Sequence, residues 1–168
     1  VFMNVEHGTA VLLEVPDGGV WLYDAGSLKD FKIVGSEIAN VLWNRGHSRL
    51  HGIFLSHADL DHFNAVPYLL SRFQPEYLIT TERMKHQVFP DQQELKGGAA
   101  IRFLAECLES QQLRVDTVSA KDRLQIGTLD LEILAPLNGR KYDTDYDDSL
   151  VLMLKHTNGI IMLPGDVV

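Results

Sequence analysis

The segment Ile53-Phe54-Leu55-Ser56 runs directly into His57-Ala58-Asp59-Leu60-Asp61-His62, placing four metal-competent side chains within six residues. The stretch Gly52–Ser56 is short and apolar, the pattern of a buried strand. Beyond the loop, Phe63–Phe73 reads as a helix, with Pro67 tolerable only near its first turn. The four groups thus lie directly after a buried strand and before a helix. In an extended loop His57 and Asp59 project to the same side and can share one cation. Asp61 and His62 sit where the chain turns into the helix, which aims them at a second cation. Imidazole and carboxylate together suit Zn²⁺, Mn²⁺ or Fe²⁺. A solvated acidic loop would explain a lone His or Asp, but not this spacing.

The flanking sequence predicts an α/β architecture. Val1–Val5, Ala10–Val15 and Val20–Asp24 read as strands of a meander, with a turn at Pro16-Asp17-Gly18-Gly19. Leu28–Phe31 reads as loop and Gly35–Asn44 as a helix with Ile38, Val41 and Leu42 on one side. Tyr77–Thr80 is a further strand, Glu82–Gly98 is polar and weakly patterned, and Ala99–Gln111 is helical. Strands follow at Val115–Val118, Leu124–Ile126 and Leu129–Leu134, then a polar loop Asn138–Asp148, then strands Leu150–Lys155 and Ile160–Leu163. Strands at both ends with helices between them suggest two sheets carrying helices on their outer faces. A length of 168 residues suits one domain, 1–168, with a real core.

Composition narrows the function classes. Fifteen Lys+Arg against 23 Asp+Glu give a formal charge of −8, which argues against gripping nucleic acid by broad phosphate neutralisation. Bound divalent cations would cancel part of that charge locally. The single cysteine, Cys107, permits no intrachain disulfide and reads as a small buried hydrophobe on a helix. No stretch is long and apolar enough to span a bilayer, so no direct membrane insertion by this segment is expected.

The loop resembles the H-x-H-x-D-H signature of the metallo-β-lactamase superfamily, with Asp59 in place of the second His. Leu22-Tyr23-Asp24-Ala25-Gly26 is similar to its early Asp-Gly motif, and Asp147-Asp148-Ser149-Leu150-Val151-Leu152 to its (N/D)-x-S-L-V-L strand start. Leu163-Pro164-Gly165-Asp166 is similar to its later Gly-Asp motif. Together with Val5-Glu6-His7-Gly8-Thr9-Ala10, these stretches look most like the C-terminal domain of the ComEC competence proteins. Glu6-His7 replaces the Gly-Gln of that branch, and Thr9 replaces an acidic residue. The resemblance covers essentially the whole chain.

It implies an αββα sandwich and a two-metal hydrolase holding zinc or manganese. In that scheme His57 and Asp59 serve the first metal, Asp61 and His62 serve the second and carry catalysis, and Asp166 bridges them. The cations would bring a shared water toward neutral pKa and clamp the attacked group. The Asp59 carboxylate would make Zn²⁺ less dominant over Mn²⁺ at the first position. Asp24 would order the metal loop through hydrogen bonds, and His7 would stand behind the ligands or contact substrate. Asp147 or Asp148 would reach a metal, or else belong to a solvated acidic loop with Asp143 and Asp145. His47 and His51 read as surface or packing residues.

The implied substrate is single-stranded DNA or another phosphodiester. The implied parent is an inner-membrane DNA-uptake protein, with a channel domain and this soluble domain on the extracytoplasmic side. Two other readings stay open: a stand-alone hydrolase of a small ester, lactone, thioester or cyclic nucleotide, and a metal-poor binding or regulatory module. The superfamily's last ligand His would lie beyond Val168, so a partial domain lacking the final strands and that motif is expected.

Overall fold

The computed structural model describes residues 1–90, 98–140 and 148–167. Nine strands form two sheets among them. The first sheet takes β1 (Ala10–Val15), β2 (Gly19–Ala25), β3 (Gly52–Phe54), β4 (Tyr77–Thr80) and β5 (Arg114–Thr117), side by side in that order. β1 and β2 form an antiparallel hairpin, while β2 through β5 run parallel. Parallel neighbours need crossovers, and helices supply them. These are α1 (Phe31–Asn44), α2 (Leu60–Phe63) with α3 (Val66–Phe73), and α4 (Glu82–Val88) with α5 (Ala99–Ser110). The second sheet is an antiparallel meander of β6 (Arg123–Ile126), β7 (Leu129–Ala135), β8 (Val151–His156) and β9 (Gly159–Leu163).

Strand alternation sorts the first sheet's side chains into two cores. Leu12, Leu22, Ile53 and Leu78 face the helices, where they meet Ile38 and Leu42 of α1, Leu69 and Phe73 of α3 and Leu104 of α5. Val11, Trp21, Tyr23, Phe54 and Ile79 face the other way, onto Leu131, Ile133, Leu152, Leu154 and Leu163 of the second sheet. The described layers are therefore helices, sheet, sheet, within the expected α/β sandwich class.

Several local expectations needed correction. Val1–Val5 forms no strand: Phe2 makes only an isolated bridge to Val11, because the chain lifts away through Glu6 and Gly8, both at positive φ. Helix α1 starts at Phe31, not Gly35. Asp30 caps it by accepting from the amides of Lys32 and Ile33, a signal the apolar spacing alone does not carry. The helix expected over Phe63–Phe73 is split into α2 and α3. Asn64 turns its side chain back, accepting from Ser27 N and donating to Ser27 O and Lys29 O, and Pro67 suits the first turn of the restarted helix. Polar Glu82–Val88 is helical because Thr81 caps it, accepting from Met84 N at 3.2 Å, while Met84 and Val88 reach the core.

Candidate metal centre

The parallel strands β2, β3 and β4 deliver their C-terminal ends to one edge of the sandwich, the usual place for sites in α/β sheets. Asp24 arrives at the end of β2, Ser56 and His57 just past β3, and Thr81 just past β4. The second sheet adds Ser149 before β8 and Asp166 after β9. Leu150 N donates to Ser56 O at 2.9 Å, which stitches the sheets together at the ligand loop. Tyr23, between the sheets, donates its hydroxyl to Leu150 O at 2.7 Å. Burial, aided by the charge of Asp24, pushes that phenol well above its usual pKa, so it stays a donor.

Glycine lets the loop approach. A Cβ on Gly26 would strike the Asp61 carbonyl and the His62 amide, and one on Gly8 would strike the carbonyls of Gly26 and Asp61. The backbone closes the contact: Thr9 N donates to Asp61 O and Gly26 N to Thr9 O, each at 3.1 Å. The early Asp-Gly pair thus has a physical reason, one residue for hydrogen bonds and the other for closeness.

Among the described residues, ligand atoms of His57, His62 and Asp166 lie within 4.8 Å of one another. The two imidazoles are 4.2 Å apart between centroids, and His62 Nε2 is 3.2 Å from Asp166 Oδ1. Both histidines are 2% exposed, so they are shielded except toward the shared space. Their other nitrogens are engaged. His62 Nδ1 lies 2.8 Å from Asp24 Oδ2, and His57 Nδ1 lies 2.9 Å from Ser56 Oγ. Asp59 occupies the N-cap of α2 but makes no side-chain capping hydrogen bond; its carboxylate lies 3.7 Å from His57 Nε2. Two imidazole nitrogens and a carboxylate facing one space, with carboxylate support behind them, fit a divalent cation.

Burial pushes the His57 pKa down, and nearby His62 pushes the same way, against the pull of Asp24, Asp59 and Asp166. Burial also opposes charge on His62, yet the Asp24 hydrogen bond and the charges of Asp24, Asp166 and Asp61 outweigh it and raise its pKa.

The remaining candidates stand apart. The Asp61 carboxylate is not in the three-residue cluster, although its charge acts on His62. Asp148, 7% exposed, accepts from Thr81 Oγ1 at 3.4 Å and is likewise outside the cluster. Exposed His7 reaches the region through its backbone, where its carbonyl accepts from Leu28 N at 2.8 Å. Asp147, with Asp143 and Asp145, lies outside the described residues. His47 and His51 are engaged elsewhere: His47 Nε2 lies 2.7 Å from Glu14 Oε1, and His51 Nδ1 accepts from Val20 N. Sequence reasoning missed Ser56 and Thr81. Short hydroxyl residues next to a motif carry no pattern, although both stand where a parallel strand ends.

A family model described as the metallo-beta-lactamase superfamily matches residues 3–139. No curated protein matches the sequence. Among solved structures, a HARLDQ-motif mutant of a Cronobacter sakazakii metallo-beta-lactamase superposes with a TM-score of 0.64 at 18% identity, covering 96% of this chain and 58% of that one. BJP-1, a subclass B3 metallo-beta-lactamase of Bradyrhizobium japonicum, gives 0.59 at 14% identity, covering 96% and 56%. Zn²⁺-bound PqqB from Methylobacterium extorquens gives 0.58 at 13% identity, covering 93% and 52%. The chain spans a little over half the length of these structures.

Proposed function

The chain belongs to the metallo-beta-lactamase superfamily, and from that premise we propose that it is a metal-dependent hydrolase centred on His57, His62 and Asp166. The observation that carries this reading is the convergence of those three ligand groups within 4.8 Å, with Asp59 beside His57. A divalent cation bound there supplies Lewis acidity and brings a water toward neutral pKa. Asp24 keeps the proton of His62 on Nδ1, which turns Nε2 toward the shared space. Asp166 contributes charge from the second sheet, so the site exists only when both sheets are in place. Asp61, next to His62 in the chain and outside the cluster, keeps in this reading the catalytic role that the resemblance implies for it. A second cation, held on the Asp59 and Asp61 side, extends the same reading, and zinc or manganese suits the mixed donor set.

For the substrate we favour a phosphodiester, on the sequence resemblance to ComEC-type domains carried by the H-x-D-x-D-H loop and Ser149-Leu150-Val151-Leu152. A DNA strand, and a channel domain in the same parent protein, would then be its partners. The charge of −8 favours a second reading, a small ester, lactone, thioester or cyclic nucleotide. Elemental analysis of the dialysed chain tests the first step: one to two equivalents of zinc or manganese are expected, lost in a His57→Ala/His62→Ala variant. Hydrolysis of single-stranded DNA and bis(p-nitrophenyl) phosphate against a panel of esters and lactones then separates the substrates. Absence of metal uptake would leave the fold as a binding module.

A further inference from the structure

Ser56 joins the two histidines to a single carboxylate. Fully buried, it donates its backbone amide to Asp24 Oδ1 at 2.7 Å. Its hydroxyl oxygen lies 2.7 Å from Asp24 Oδ2, 2.9 Å from His57 Nδ1 and 3.3 Å from His62 Nδ1. A serine hydroxyl carries one proton, and an ionised carboxylate can only accept. The 2.7 Å contact between two oxygens therefore needs that proton between them. Ser56 Oγ is left with lone pairs alone for His57, so the contact at Nδ1 is completed by an Nδ1–H. Neutral imidazole carries one N–H, so His57 Nε2 becomes the bare nitrogen, on the side where Asp59 and Asp166 stand. The same count holds for His62, whose Nδ1–H goes to Asp24 Oδ2 at 2.8 Å. The reverse arrangement, Ser56 donating to His57, would leave two bare oxygens 2.7 Å apart in a buried site.

We propose that Ser56 is a positioning residue of the metal centre, relaying the acceptor of Asp24 to His57. One buried carboxylate then sets the ring orientation and tautomer of both imidazoles, directly for His62 and through the hydroxyl for His57. Its role in metal binding rests on the metallohydrolase reading; the proton arrangement does not.

Nitrogen NMR of the metal-free chain in weakly alkaline buffer reads the tautomers. His57 is expected as Nδ1–H, and an Nε2–H form of His57 overturns the proposal. In Ser56→Ala the Nδ1–H preference of His57 is lost while that of His62 persists, and zinc affinity falls about 10–100-fold. Ser56→Thr, which keeps the hydroxyl, restores both. A Ser56→Ala protein with unchanged His57 tautomer and unchanged zinc affinity overturns the proposal. Should Ser56→Ala not fold, the wild-type spectrum decides, with Ser56→Thr expected to reproduce it. A chain that takes up no zinc while its His57 tautomer still follows Ser56 would end the metallohydrolase reading and leave the relay standing.

Discussion

Asp24 concentrates more interactions than any ligand it supports. It is wholly buried and serves Ser56 N, Ser56 Oγ and His62 Nδ1. Truncation leaves those groups facing a void, so Asp24→Ala is expected to cost about 3 kcal/mol of stability in chemical denaturation. His62 supplies a pH signature. Its folded-state pKa is raised above the 6.5 of a free imidazole. In the metal-free chain its contribution to stability is therefore fully present below pH 6.5 and fades as pH rises through the raised value. A cation must displace that proton, so zinc affinity is expected to weaken about 10-fold per pH unit as pH falls below the raised value. Zinc titrations at several pH values check the slope, which should flatten in His62→Ala.

Elements meet the site through close backbone contacts. The turn after β2 presses on the start of α2 at Gly26, where a methyl group has no room. Gly26→Ala is expected to shift the Asp61–His62 backbone and lower zinc affinity together with stability, read from calorimetry and thermal melts. Further from the site, Glu14 of β1 holds Arg45 and His47, just past α1, and Arg45 above all keeps its pKa at about 2. A depressed carboxyl stabilises the fold above its ordinary 4.5, and that stability goes as pH falls toward 2. The pair is solvent-exposed, so Glu14→Gln is expected to cost no more than about 1 kcal/mol at neutral pH, with the difference from wild type vanishing in acid melts.

At the scale of the whole molecule the second sheet ends, among the described residues, on an apolar strand. β9 presents Ile160, Ile161 and Met162, which are 66%, 51% and 58% exposed. Beside them an open groove of about 690 Å³ runs between β1 and β9, lined by Leu13, Val15, Leu154 and Ile161 among others. An apolar edge strand of this kind invites pairing. Ile161→Lys with Met162→Lys is expected to leave thermal stability within about 1 kcal/mol in melts of the chain, because both side chains already face solvent.

Local patterning was enough to reveal the α/β class, the strands from Ala10 onward and the ligand-rich loop, because period, turn residues and spacing all act within a few residues. The alternation of Leu22, Tyr23, Ile53 and Phe54 sorts those side chains between the two cores, while the parallel register of their strands comes from the pairing itself. What the residues could not show alone was convergence. His62 meets Asp166 across more than a hundred residues of chain, and Asp24 meets Ser56 across strands β2 and β3. Asp61 and Asp148 carry the same chemistry as Asp166 yet stand outside the cluster, a difference set by strand ends and not by residue type. Side-chain chemistry is a local property readable from sequence. The direction in which each group points depends on which strands lie side by side, and only the packed sheets decided that.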